Sequence, residues 1–187
     1  MLKRLIATLT ILLMLPISAA RADEYTDTLN LFKNAGESAS LLQSAFGYAL
    51  FPKIGKGGVG IGGAHGKGRV YEQGKHIGDT SMTQLTVGLQ LGGQVYSELI
   101  LFEDERAFKE FTNGNFEFGA DANAIAITAA AGAHAGTTGT STNASAGKKD
   151  AKTTGAYRKG VAVFTVAKGG LMYEASVGGQ KFSYKPR

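Results

Sequence analysis

The chain has no cysteine and no tryptophan among its 187 residues. Without cysteine there is no disulfide, no thiolate metal site, no cysteine nucleophile and no cysteine to carry a lipid behind a leader. The N-terminal apolar run, Leu5 to Leu15, is eleven residues long and too short to span a bilayer. No G-x-S-x-G elbow is present. His65, His76 and His134 are scattered without i,i+4 spacing, which favours ordinary sheet or surface histidines over metal ligands. The acids Glu103, Asp104 and Glu105 cluster where a helix starts, so capping explains them better than catalysis. Asp121, in a small apolar run, reads as a structural carboxylate rather than a general base. No catalytic residue, metal or cofactor is expected, and the chain is not read as an enzyme.

Strong charge is also lacking. Lys3 and Arg4 precede the apolar run, and Ala20-Arg21-Ala22 follows it, the pattern of a signal peptide cleaved near Ala22. The alternative is an N-terminal membrane anchor. Removing residues 1–22 takes Lys3, Arg4 and Arg21 from 20 basic residues and none of the 15 acids, so +5 becomes +2. That balance argues against nucleic acid as a partner. The expectation is a bacterial protein, periplasmic or secreted, with residues 23–187 forming one domain of about 165 residues.

What the chain has in abundance is glycine. Residues 51–71 hold eight: Gly55, Gly57, Gly58, Gly60, Gly62, Gly63, Gly66 and Gly68. Gly58-Val59-Gly60-Ile61-Gly62-Gly63 matches G-x-G-x-x-G, but helix precedes it and strand follows, the reverse of a dinucleotide site. Gly62 to Gly68 falls one residue short of a phosphate loop, and Gly68 stands where Ser or Thr belongs. Close packing of a thin strand is the remaining reading.

Residues 24–50 carry Leu29, Phe32, Ala35, Ala39, Leu42, Phe46 and Leu50 at helical spacing, with Gly36 a possible divider and Phe51-Pro52 the stop. From Val59 the period changes to two, and Gln73-Gly74 reads as a turn. From Thr83 to Leu101 one parity holds Leu85, Val87, Leu89, Leu91, Val95, Leu99 and Leu101, and the other holds polar residues and glycine. The first set is the expected buried face, with a bend at Gly92-Gly93. A short helix is expected over Glu103 to Thr112, then extended chain at Phe116 and Phe118, then a thin strand in Ala124 to Ala135. Residues 136–155 read as a mobile loop. Strands over Val161–Val166, Leu171–Val177 and Lys181–Tyr184 are separated by turns at Lys168-Gly169-Gly170 and Gly178-Gly179. The fold class is α+β: N-terminal helix or helices on a largely antiparallel, glycine-rich sheet or partial barrel, with one short inserted helix.

Phe51-Pro52-Lys53 to Gly68, Val87 to Gln94, Phe118 to Ala122, Lys168 to Leu171 and Glu174 to Val177 together resemble the SYLF domain, over roughly residues 35–185. The resemblance implies a lipid-binding domain without catalysis; eukaryotic members associate with phosphoinositides, and some with actin. This chain departs from the family pattern at Asp79-Thr80-Ser81-Met82 and at Ile127-Thr128-Ala129-Ala130, so those ligand preferences are not carried over. The expected lipid contacts are Lys53, Lys56, Lys67 and Arg69 on headgroups, flanked by Phe51, with the partner a phospholipid or membrane surface. The alternative is a structural or protein-interaction module of the envelope with no lipid ligand.

Overall fold

A computed structural model of the chain describes residues 17–118, 126–129 and 157–187. Two helices, α1 (Ile17–Lys33) and α2 (Gly36–Ser44), precede the long strands β1 (Gly47–Glu72) and β2 (Lys75–Phe102). Helix α3 (Glu105–Thr112), short strands β3 (Asn115–Phe118) and β4 (Ala126–Ala129), and the long strand β5 (Val161–Pro186) follow. These form one five-stranded sheet in the order β1-β2-β5-β3, antiparallel except for β4, which runs parallel to β5. The architecture is α+β, as expected. Asp121, His134 and the 136–155 stretch lie outside the described residues.

Local chemistry explains most boundaries. Gly36 divides the helical span because it takes a φ of +48°, a conformation glycine adopts without cost. The helix does not continue to Leu50. Tyr48 and Leu50 instead pair with Leu101 and Leu99 of β2, and tertiary pairing overrides a helical spacing that is shared by chance. Pro52, which has no N–H to donate, sits in a register irregularity between Phe51 and Ile54, where its carbonyl accepts the Ser97 hydroxyl at 2.7 Å. Gln73 and Gly74, at φ +48° and +81°, close the β1–β2 hairpin with the two positive φ values of a primed turn. Asp104 caps α3 by accepting from the Ala107 N–H at 2.8 Å.

The turns expected at Lys168–Gly170 and Gly178–Gly179 do not form. β5 runs unbroken beside β2, with Gly169 opposite Val95 and Gly178 opposite Thr86. The sheet bends instead at the glycines of β1 and β2. Gly60 has a φ of +70° and Gly92 one of +124°, and a side chain on Gly58 would run into Ile61 and Gly62. There β1 doubles back, and its two halves lie against each other. A methyl group on Gly68 would come 2.8 Å from the Leu50 carbonyl, and one on Gly66 3.1 Å from that of Lys53. The sheet is therefore folded over itself, with the aromatic core between the two layers. Phe182 is its hub, with ring centroids 5.7 Å from Phe51, 5.4 Å from Phe111 and 5.4 Å from Phe118.

The outer face of one layer is covered by the helices. Phe32, Leu29, Leu31, Leu41 and Leu42 pack on Tyr48, Leu50, Leu99, Leu101 and Phe164, so the helical stripe faces the sheet.

The folding-over inverts the expected burial of β2. Leu99 and Leu101 are buried, but beneath the helices. Leu85, Val87 and Leu91, of the same parity, point outward and are exposed, while Gln84 and Thr86 face inward and are buried. The cause is steric: β1 presents Gly62, Ala64, Gly66 and Gly68 to the interior, and the apolar set is left outside. Burial of a phenylalanine is worth ~1.5–3 kcal/mol, and truncating one in a core costs more because a cavity remains. Phe182→Ala should lower unfolding free energy by about 3–5 kcal/mol, whereas Leu85→Ser should change it by less than about 0.5 kcal/mol. Urea denaturation checks both; a large loss for Leu85→Ser contradicts the outward placement.

Candidate functional site

The bend forms a tip of the folded sheet, made of residues 57–63 of β1 and 85–93 of β2. Val59 pairs with Leu91, and Ile61 with Val87, one pair on each side of the bend, and all four point outward. With Leu85 they form an outward aliphatic patch: Val59 is 76% exposed, Leu85 66%, Ile61 65%, Val87 61% and Leu91 59%. In register, Leu91 and Val87 are followed by Tyr173 and Val177 of β5. Isolated exposed aliphatics are ordinary, but five together on paired strands mark a contact surface. The patch contains no acid.

Basic and polar rows border it. His65, Thr83 and Lys181 share one register row, and Lys67, Ser81 and Ser183 the next. The first row lies four residues from Ile61, about 13 Å at ~3.3 Å per residue. Lys181 is paired with Glu117 at 2.9 Å. On the other side of the bend stand Lys53, exposed, and Lys56, half-buried and opposite Gln94.

The residues expected to contact lipid are thus not one cluster. Lys53 and Lys56 flank the tip on one side, and Lys67 lies exposed on the other. Arg69 is further from the tip, its guanidinium 4.1 Å from the centroid of the Tyr25 ring, which ties β1 to α1. Burial pushes the Tyr25 hydroxyl up to about 12, opposed by Arg69. Phe51 is fully buried against Phe182 and belongs to the core. The aliphatic patch was missed in the sequence because alternation reads as inside and outside without saying which is which. A usable signal was the glycine parity of β1, since a layer this thin demands a close neighbour.

Behind the patch, between the layers, lies a polar interior. Gln84, Thr86, Thr165 and Gln180 are buried there with Glu98, which has no exposure at all. One Glu98 oxygen accepts from Gln180 Nε2 at 3.2 Å, spanning the two layers, and the other, Oε1, has no partner among the described residues. Burial pushes the Glu98 carboxyl up to about 7, and the Gln180 amide opposes that only in part. The sequence hid this residue as one polar position in the run Tyr96 to Phe102.

An antiparallel sheet folded on itself, backed by two helices and ending in an apolar tip, defines the class of domain. The chain belongs to the Ysc84 (SYLF) family, described as "Las17-binding protein actin regulator", whose model matches residues 83–186. It is similar to the protein named "Beta cell expansion factor A" of Aeromonas veronii, at 27% identity over 161 residues, covering 84% of this chain and 52% of that protein. The chain thus spans about half the length of this relative. No solved structure matches.

The Glu98 carboxyl sets a pH dependence. A free glutamate titrates near 4.5 and the folded one near 7, so between these values the folded chain keeps a proton that the unfolded chain loses. Stability is therefore full below about pH 4.5, falls as pH rises through 7 and then levels, a loss on the order of 3 kcal/mol for this residue. Glu98→Gln should remove that slope. Urea midpoints of both proteins at pH 5 and pH 8 decide it; equal slopes refute the assignment.

Proposed function

We propose that the chain is a non-enzymatic lipid-binding domain that associates with phospholipid or acyl chains at the bacterial envelope, after export and cleavage near Ala22. The observation that carries this is the exposed aliphatic patch at the tip. Its outward apolar, inward polar alternation is the pattern of strands that face hydrocarbon. From Leu85 to the bend near residue 90 the strand extends about 17 Å at ~3.3 Å per residue, half of a ~30 Å hydrocarbon core, so the tip enters one leaflet.

Lys53 on one flank and Lys67 on the other then meet phosphates at headgroup depth, each worth about 1 kcal/mol near an anionic surface, while Lys56, half-buried on the interlayer side, contributes little. Arg69, held by Tyr25, contributes little, and Phe51 none. Gross burial of five aliphatic side chains amounts to roughly 1–2 kcal/mol each before the cost of association. The patch therefore outweighs the charges, and binding should survive salt.

Co-sedimentation of the protein with vesicles of phosphatidylglycerol and phosphatidylethanolamine tests this. Val59→Asp with Leu85→Asp should reduce bound protein at least about tenfold without lowering thermal stability. Lys53→Glu with Lys67→Glu should weaken binding at low salt only. Absence of vesicle binding by the wild type at any salt overturns the lipid reading in favour of a structural or protein-interaction module. So does undiminished binding by the double aspartate variant.

A further inference from the structure

We propose that Glu98 and Gln180 form a proton-controlled clasp between the two layers: with Glu98 neutral the tip is closed, and with Glu98 ionised the layers part there. The geometry carries this. Glu98 is wholly buried on β2, flanked in register by Phe51 of β1 and Thr165 of β5. Its contact with Gln180 spans 82 residues and joins the covered layer to the layer that carries Ile61, Leu85 and Val87. Gln180 pairs in register with Gln84, which alternates on β2 with the exposed Leu85. The clasp therefore holds the segment that presents the patch.

A neutral carboxyl with one satisfied oxygen costs little between the layers. An ionised one leaves Oε1 a charged acceptor with no donor, a state that separation and water entry relieve. Among the described residues, the titratable groups on the inward side are Tyr96 of β2, the half-buried Lys56 of β1 beyond Ile54, and Tyr184 of β5 beyond Phe182. Burial and the Gln180 amide are the influences on Glu98, and none of those three groups contributes. Glu174 of β5 stands six positions before Gln180, in register with Gln90.

Parting is confined to the tip because the other end is held independently. There the helices cover Leu99, Leu101 and Phe164, and the rings of Phe102, Phe108 and Phe111 interlock. The clasp does not depend on the lipid reading, since no lipid enters its test.

Amide hydrogen exchange on the full chain, expressed as protection factors at pH 5.5 and pH 8.5, is the experiment. In the wild type, protection over residues 84–87 and 179–182 should fall at least about tenfold at the higher pH, while residues 99–102 change by less than about twofold. In Glu98→Gln all segments should stay within about twofold of their pH 5.5 values. Should that variant fail to fold, Gln180→Met removes the clasp itself, and protection over residues 84–87 should be low at both pH values while residues 99–102 stay protected; retained protection over 84–87 at pH 5.5 overturns the clasp. Carboxyl carbon-13 resonances place the Glu98 titration directly. Equal losses in wild type and Glu98→Gln overturn the clasp. Equal loss over 99–102 and the tip, or no pH effect in the wild type, does so as well.

Discussion

The structure depends on the approach of one strand to itself. β1 is 26 residues long and doubles at Gly58–Gly62, so that Leu50 meets Gly68 and Ile54 meets Gly66. At that separation no side chain fits at Gly66 or Gly68 without moving Ile54 or Phe51. The density of glycine between residues 51 and 71 is thus a packing requirement. β2 and β5 follow the same curve because their hydrogen bonds with each other run almost without interruption from Gly78–Pro186 to Phe102–Val161.

The rest of the molecule follows from this bend. A sheet that folds over itself must present its thin and short side chains inward where the layers are close. Farther along, where they separate, aromatic rings fill the space around Phe182. The longer aliphatic residues near the bend are then directed outward, away from the described helices. The same geometry places polar groups, Glu98 among them, in a buried interlayer space where burial raises the carboxyl's pKa to about 7. An apolar outside and a polar inside at one end, with the ordinary arrangement at the other, is the asymmetry that singles out the tip.

The family match over residues 83–186 begins at the patch-bearing half of β2 and runs through β5. It covers β2 from residue 83 onward and all of β5, the two central strands of the folded sheet. β1, which supplies the steric demand for thinness, precedes the matched segment.

The sequence by itself determined the α+β class, the division of the helices at Gly36, the turn at Gln73-Gly74, the capped α3 and the strand character of β1, β2 and β5. Each rests on chemistry within a few residues: a glycine φ, a cap, a period of two. Tertiary structure decided what local pattern leaves open. Tyr48 and Leu50 join a strand because β2 supplies their partners. Gly169 and Gly178 lie within one strand rather than in turns because β2 holds the chain extended past them. Leu85 and Leu99 share a parity, yet one is exposed and the other buried, because alternation fixes which residues share a face but not what that face meets. Only the fold-over assigns it. That assignment removes Phe51, Arg69 and Lys56 from the surface that Lys53 and Lys67 border, and places Val59, Ile61, Leu85, Val87 and Leu91 at its centre.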